Sequence, residues 1–373
     1  MKRQKLFIVV VLLLLHRTLS SQSFPWYQNA LRNAYPNDLS FCIADLKFDG
    51  EKIKICELGQ AFGSTFKGYN KIYGQGQMWA KFWQLMSSLN YPLWLFGSSY
   101  LKKEFAPAIF EKVGGHTART LNELKPSSPK FILIVREKND AFRTIKQHYP
   151  ECIILDAATK KFVSNKYETG RLFEDQNIAS YKPQFTLVPK NYAPQLAYEI
   201  IQKISSPLLV VKPINASLGR GIVIVEPEKL DAILRIVLKQ KPTSTYQQDT
   251  QSLSYWTSDR EKFFIVEEFV ASKIIYTDNK PYDPTMRVAF VLFNNEGSLQ
   301  INFLDAYWKL PSQALNENGS ITQLHKSHIE SDKQCSTPVD AHDFEVVKEQ
   351  LSLLLSSLYL KMLAQYEHKK ERI

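Results

Sequence analysis

Residues Leu208 to Val225 constrain this 373-residue chain more than any other stretch. Leu208-Leu209-Val210-Val211-Lys212-Pro213 leads into Ile214-Asn215-Ala216-Ser217-Leu218-Gly219-Arg220-Gly221, and Ile222-Val223-Ile224-Val225 follows. The apolar, largely β-branched flanks predict two buried strands. Between them, Ser217, Gly219 and Gly221 let backbone N–H groups come close to an anion. Lys212 ends the first strand, where an ammonium can meet a phosphate. A two-stranded flap over a nucleotide has this form, and it points to ATP chemistry.

With 44% hydrophobic and 12% aromatic residues the chain can build a sizeable core, and its length allows two or three domains. The formal charge of +10 suits an acidic ligand, but the basic residues are dispersed, so no nucleic-acid stripe is expected. Met1 to Lys5 is basic, Leu6 to Leu15 is apolar, and small residues follow. This describes a secretory signal peptide or a short anchor over 1–21, since a full span needs about 20 apolar residues. The protein is expected to be secreted or membrane-anchored if that segment is a true signal, and cytoplasmic otherwise. Membrane contact is expected only if the segment stays uncleaved. The four cysteines Cys42, Cys56, Cys152 and Cys335 form no CxxC pair, so a zinc site is not indicated.

Along the chain, Phe24 to Leu39 reads as helix and loop. Leu39 to Leu58 reads as a hairpin about Phe48-Asp49-Gly50. A glycine-rich segment follows to Gly76, and Met78 to Leu89 reads as helix. From Lys130 the pattern becomes α/β: strand 131–135, helix 140–148, strand 152–156. After the flap come a helix at 228–239, a polar loop at 240–262, and strands at 263–270, 286–293 and 299–304. The tail from Asp343 to Glu367, with Val346, Leu351, Leu354, Leu355, Leu358 and Leu360, reads as an amphipathic helix.

Several pieces, in order, resemble the ATP-grasp superfamily, and most nearly its tubulin tyrosine ligase type. Ser164-Asn165-Lys166-Tyr167-Glu168-Thr169 with Leu172-Phe173 is similar to that family's N/D-K-x-x-T helix start. Thr186-Leu187-Val188-Pro189 is similar to its T-x-x-P entry, residues 208–225 to its flap, and Val266-Glu267-Glu268-Phe269-Val270 to its adenine-holding hinge. The matches cover about residues 160–300. The resemblance implies an α/β (α+β) ATP-grasp fold using ATP and Mg2+, and a carboxylate–amine ligase acting through an acyl-phosphate on amino acids or peptides. The alternative is a non-catalytic nucleotide-binding or interaction protein on the same fold.

The family pattern places a metal-binding hairpin, an Asp and then E-x-N, after its last helix. Here that shape stands at the front, as Asp45, a turn, and Glu57-Leu58-Gly59-Gln60. The order implies circular permutation. The expected division is a permuted hairpin and glycine-rich segment at 22–76, an α/β domain at 77–160, the nucleotide-binding domain at 161–340 and a terminal helix at 341–373. Gly59 stands where the asparagine is expected, with Gln60 as a substitute. Asp45 and Glu57 share a face only if the turn is odd-numbered or a bulge intervenes.

Read residue by residue, Asp45, Glu57 and Gln60 are the candidate metal ligands. Lys212 is the candidate α/β-phosphate contact and, with Arg287, the candidate catalytic cation. Ser217, Gly219 and Gly221 would offer N–H groups, and Arg220 assists or faces solvent. Lys166 approaches the nucleotide or caps a helix. Glu267, Glu268, Phe269 and Val270 would read adenine through the main chain. Asp283 is a further nucleotide candidate or an ion-pair partner of Arg287; the family's Asp and Arg stand two apart, these four. Lys280 and Lys309 are lesser candidates. Phe62, Tyr69, Lys71 and Tyr73 contact a second substrate or simply pack. His325 and His328 read as surface.

Overall fold

A computed structural model describes residues 37–60, 62–97, 107–135, 139–217, 219–241, 250–327 and 336–370. The proposed leader and His328 lie outside them. Chain order begins with strands β1 (Asp38–Phe48) and β2 (Ile53–Gly59), then helices α1 (Phe62–Tyr73) and α2 (Gln77–Ser88). Next come β3 (Leu93–Phe96), α3 (Pro107–Lys112), β4 (His116–Ala118), β5 (Ile132–Val135), α4 (Asn139–His148) and β6 (Ile153–Ile154). Helices α5 (Lys160–Val163) and α6 (Lys166–Leu172) lead to β7 (Phe185–Pro189), α7 (Leu196–Lys203), β8 (Leu209–Pro213), β9 (Val223–Val225) and α8 (Leu230–Val237). The rest is α9 (Thr250–Ser258), β10 (Phe263–Glu268), the ribbon β11 (Ile275–Thr277) and β12 (Lys280–Tyr282), β13 (Thr285–Asn295), β14 (Ser298–Lys309), α10 (Ile321–His325), β15 (Ser336–Pro338) and α11 (Ala341–Lys370).

The architecture is mixed α/β with several sheets. An antiparallel sheet has the order β15-β14-β13-β1-β2, and a second, β7-β10-β8-β9, carries the flap. A parallel sheet, β4-β3-β5-β6, follows the alternation from Lys130 and meets β1 where Leu39 bridges Leu155. Strand β1 is buried at every position. Cys42, Ala44, Leu46 and Phe48 pack in one cluster with Val347, Leu351, Leu354, Leu355 and Leu358 of α11. Phe41 and Ile43, on the opposite face, pack with Phe66, Trp79, Phe82 and Trp83 of α1 and α2. Strands covered on both faces lose their alternation, so β1 reads as a nearly continuous apolar run.

Four readings need correction. Asp38 and Leu39 already belong to β1 rather than to a helix-and-loop entry. The glycine-rich segment contains α1, a full helix. Gly68 is needed there because a Cβ would overlap the ring and hydroxyl of Tyr307. The stretch 240–262 contains α9, whose Leu253 and Trp256 are at most 1% exposed. Trp256 Nε1 donates to the Gly221 carbonyl at 2.9 Å, so tertiary docking overrides the polar local sequence. In α11 the buried stripe runs through Val347, with Val346 and Leu360 only flanking it.

Gly68→Ala therefore should destabilise despite alanine's better helix propensity. Overpacking against Tyr307 costs about 1–3 kcal/mol, against a propensity gain of about 1 kcal/mol. Urea unfolding should show the loss, and Tyr307→Phe in the same chain should recover part of it.

Candidate functional site

The flap sheet and the β1-β2-β13-β14 face enclose a cavity of about 390 Å³. Six cationic side chains line it (Lys47, Lys166, Lys212, Arg287, Lys309, Lys326), against the carboxylates Asp45, Glu57, Glu267 and Glu268. This balance favours an anionic occupant.

The hairpin supplies one wall. Asp49 holds its turn, accepting from the backbone of Glu51 and Lys52 at 2.8 Å each, with Gly50 at φ 113°. Pairing runs Phe48↔Ile53, Lys47↔Lys54 and Leu46↔Ile55, then shifts so that Asp45 faces Glu57. Cys56 is the extra residue, a β-bulge. It meets the parity condition and puts both carboxylates on the cavity face. Two pairs further on, Gly59 faces Ile43, whose Cγ1 lies 3.2 Å from where a Cβ would stand. Ile43 thus disfavours any side chain at Gly59.

Asp45 is bound by two cations from the neighbouring strands β13 and β14. Its cross-strand partner Arg287 donates through Nε to Oδ1 and through a terminal nitrogen to Oδ2, both at 2.7 Å. Lys309 Nζ donates to Oδ2 at 2.8 Å. Burial alone would raise the Asp45 pKa, but these cations outweigh it and hold the carboxyl far below its ordinary range. Lys309 is pushed down, first by burial and then by Arg287, with Asp45 opposing.

The flap supplies the second wall. Lys212 and Lys182 both pair with Glu267, Lys182 at 2.7 Å and Lys212 at 2.5 Å. Both ammoniums also donate to the carbonyl of bulged Cys56, at 3.2 and 3.3 Å. Burial would raise Glu267, yet the two lysines pull it below its ordinary value. Burial dominates at Lys182, whose pKa falls. Lys166 also faces the cavity, 3.4 Å from Glu57 and donating to the Ala216 carbonyl. The cap of α6 is Asn165, which accepts from Tyr167 and Glu168 N–H.

The remaining sequence candidates divide. Ser217, Gly219, Glu268, Phe269 and Val270 line the cavity. Gly221 is not among its lining residues; its φ of 75° and tight contact with Pro213 and Tyr255 serve the flap's shape. Arg220 lies over the Tyr255 ring and bonds Ser217, outside the lining. Asp283 is a buried hub behind the wall, accepting from Lys47 at 2.9 Å, Ser272 N–H at 2.8 Å and His325 Nδ1 at 2.8 Å. Lys280 pairs with Glu317 on the surface. Phe62, Tyr69, Lys71 and Tyr73 lie outside the lining; Phe62 stacks on Phe41 and Tyr69 donates to Asp305.

Sequence reasoning overlooked Lys47, Lys182, Lys326 and Thr159, and took His325 for surface. His325 lines the cavity beneath Phe269, at 4.8 Å between rings. Lys47 had a usable signal, since it lies two residues from Asp45 and so on the same strand face. Lys182 and Thr159 reach the site from loops and helix caps, where no period announces them.

Among the described residues no group of three or more His, Cys, Asp and Glu is arranged to hold a metal alone. The donor set suits Mg2+ brought in on a phosphate, which needs only one or two protein carboxylates. Glu57 offers one, Asp45 has part of its Oδ1 left beside Arg287, and Gln60 adds an amide oxygen.

No family model matches the chain, and no curated protein matches it. Solved structures do. A protein described as γ-glutamylcysteine synthetase from Methylobacillus flagellatus aligns over 93% of both chains, with 11% identity and a TM-score of 0.47. A D-cycloserine synthetase aligns over 72% of this chain and 82% of its own, with 13% identity and a TM-score of 0.37. D-alanyl-alanine synthetase A from Vibrio cholerae aligns over 73% and 80%, with 10% identity and a TM-score of 0.37. At these scores the likeness decides neither fold nor function, and the cavity's own chemistry carries the reading.

Glu267→Gln should lower stability by about 3–5 kcal/mol by leaving two buried ammoniums uncompensated. Because the folded carboxyl is depressed, its contribution is present above the unfolded glutamate pKa, about 4.3, and is lost as pH falls below it. Urea unfolding from pH 7 down to 3 should show that acid slope in the wild type and a shallower one in the variant.

Proposed function

We propose that the chain is an ATP-dependent carboxylate–amine ligase of the ATP-grasp type, acting on amino acids or peptides. The observation that carries this reading is that Asp45 and Glu57, near the front of the chain, line the same cavity as Lys212 of the flap. Lys212, Lys166 and the flap N–H groups would hold the phosphates, and Glu57 with Gln60 and Asp45 would hold Mg2+. That ion supplies charge neutralisation on the phosphate oxygens. The hinge from Glu267 to Val270 would take adenine.

In this reading a substrate carboxylate oxygen attacks the γ-phosphorus, and the bond to the ADP oxygen breaks. The amine nitrogen then attacks the acyl carbon, and inorganic phosphate leaves. Arg287 and Lys309 stand beside Asp45, where they can neutralise charge on the transferring group. A tubulin tyrosine ligase type, circularly permuted, is the finer proposal. Tyr359 of α11 hydrogen-bonds Asp38 at the start of β1, so helix and hairpin are close enough for the family's usual order to be a permuted version of this one.

A second reading, nucleotide binding without catalysis, is favoured by two observations. Asp45 is already committed to Arg287 and Lys309, and Gly59 stands at the asparagine position. Incubation with ATP, Mg2+ and pools of amino acids separates the readings. The ligase should release ADP and phosphate in an amine-dependent way, and Arg287→Lys should slow this about a hundredfold. Nucleotide binding without ADP release, unaffected by Glu57→Ala, would instead establish the second reading.

A further inference from the structure

Gln60 follows β2 directly and lines the cavity beside Glu57. Its amide nitrogen donates to Thr159 Oγ1 at 2.8 Å, and its Oε1 makes no hydrogen bond among the described residues. Which end of an amide faces a hydroxyl is set by the network behind that hydroxyl. Here the network ends on a carboxylate. Asp38 is 3% exposed and accepts from Ser40 Oγ at 2.9 Å, Tyr359 OH at 2.6 Å and the Ala158 N–H at 3.3 Å. The Tyr359 oxygen itself accepts from the Asn294 N–H, so its own proton goes to Asp38.

The directions then follow one by one. Ser40 has a single proton and gives it to Asp38, so it must accept from Thr159, at 2.9 Å. Thr159 has thereby used its proton and can only accept from Gln60. The Cys42 thiol also lies beside Thr159, but sulfur is the weaker acceptor. The NH2 of Gln60 is held on Thr159, and its carbonyl oxygen is left for the cavity.

We infer that Asp38, Ser40 and Thr159 form a positioning relay that turns the Gln60 carbonyl oxygen toward a nucleotide-bound divalent cation. Gln60 thus supplies the oxygen that Gly59, crowded by Ile43, does not. The inference rests on the nucleotide reading above. Ser40 and Thr159 are both 0% exposed and line no part of the cavity, and their hydroxyls are linked to it by hydrogen bonds through Gln60, so their side-chain effect on a cation passes through its orientation.

The test uses Mn2+ as the spectroscopic cation, with free Mn2+ followed by electron paramagnetic resonance in the presence of ADP, and ADP binding measured separately in EDTA. Ser40→Ala frees the Thr159 proton to bond Gln60 Oε1 and turn the amide. It should weaken Mn2+ binding about tenfold while leaving metal-free ADP affinity unchanged. Gln60→Glu presents oxygen at either end, so adding Ser40→Ala to it should change nothing further. Thr159→Val, similar in shape, should act as Ser40→Ala does and decides the matter if that variant does not fold. Unchanged Mn2+ affinity in these variants, equal loss of metal-free ADP, or a loss that persists beside Gln60→Glu overturns the relay alone. Wild-type protein that binds no nucleotide in either condition overturns the ligase reading and the relay together.

Discussion

The pairing of Asp45 with Arg287 ties the site together. The two residues are 242 apart in sequence yet directly opposite on β1 and β13. Their bidentate contact fixes the guanidinium plane against the sheet, and Lys309 joins from β14. A buried pair of this kind contributes little net stability, because desolvation offsets most of the attraction. What it gives is position: β1 and the distant hairpin β13-β14 present one charged row to the cavity. Removing Asp45 would leave two buried cations without their carboxylate, whereas removing Arg287 would leave Asp45 held by Lys309 alone.

The bulge at Cys56 is the second constraint, and it acts twice. By adding one residue to β2 it reverses the facing of everything beyond it, which brings Glu57 under Asp45. It also releases the Cys56 carbonyl toward Lys182 and Lys212. A regular hairpin would have turned Glu57 to the α11 side, where Ala44, Leu46 and Ile55 pack without polar partners.

Much of this was legible in sequence because it is periodic or motif-bound. The hairpin, the flap strands, the parallel α/β segment and the terminal helix all announce themselves through apolar pattern and turn residues. Two helices did not. In α1 the glycines look like a loop until Tyr307 is seen to need the space, and in α9 a polar stretch is helical because Trp256 docks under the flap. Asp45 and Arg287 were each named from sequence but not as partners: Asp283, four residues away, was offered to Arg287, whereas the register of β1 on β13 gives it Asp45. The site was hidden where side chains arrive from loops and caps. Lys182 and Thr159 carry no local signal, and His325 becomes a wall residue only through Asp283 and Phe269.

The ion pairs explain how a crowded cationic cavity can exist before a ligand enters. Asp45 is shared by Arg287 and Lys309, and Glu267 by Lys182 and Lys212. Each carboxylate orders two cations and cancels only one, so each cluster keeps a surplus positive charge that is already oriented. In the proposed ligase an entering polyphosphate would meet donors that need no reorganisation, which is where electrostatic preorganisation has its effect. The same sharing sets a limit on Asp45. Any cation that approached it would compete with Arg287 and Lys309, and each loosened donor would become available to a phosphate oxygen instead. In the proposed ligase this carboxylate would work as an exchange point between fixed and arriving charge, whereas Glu57, paired with Lys166 at 3.4 Å and about a third exposed, would be the more open ligand.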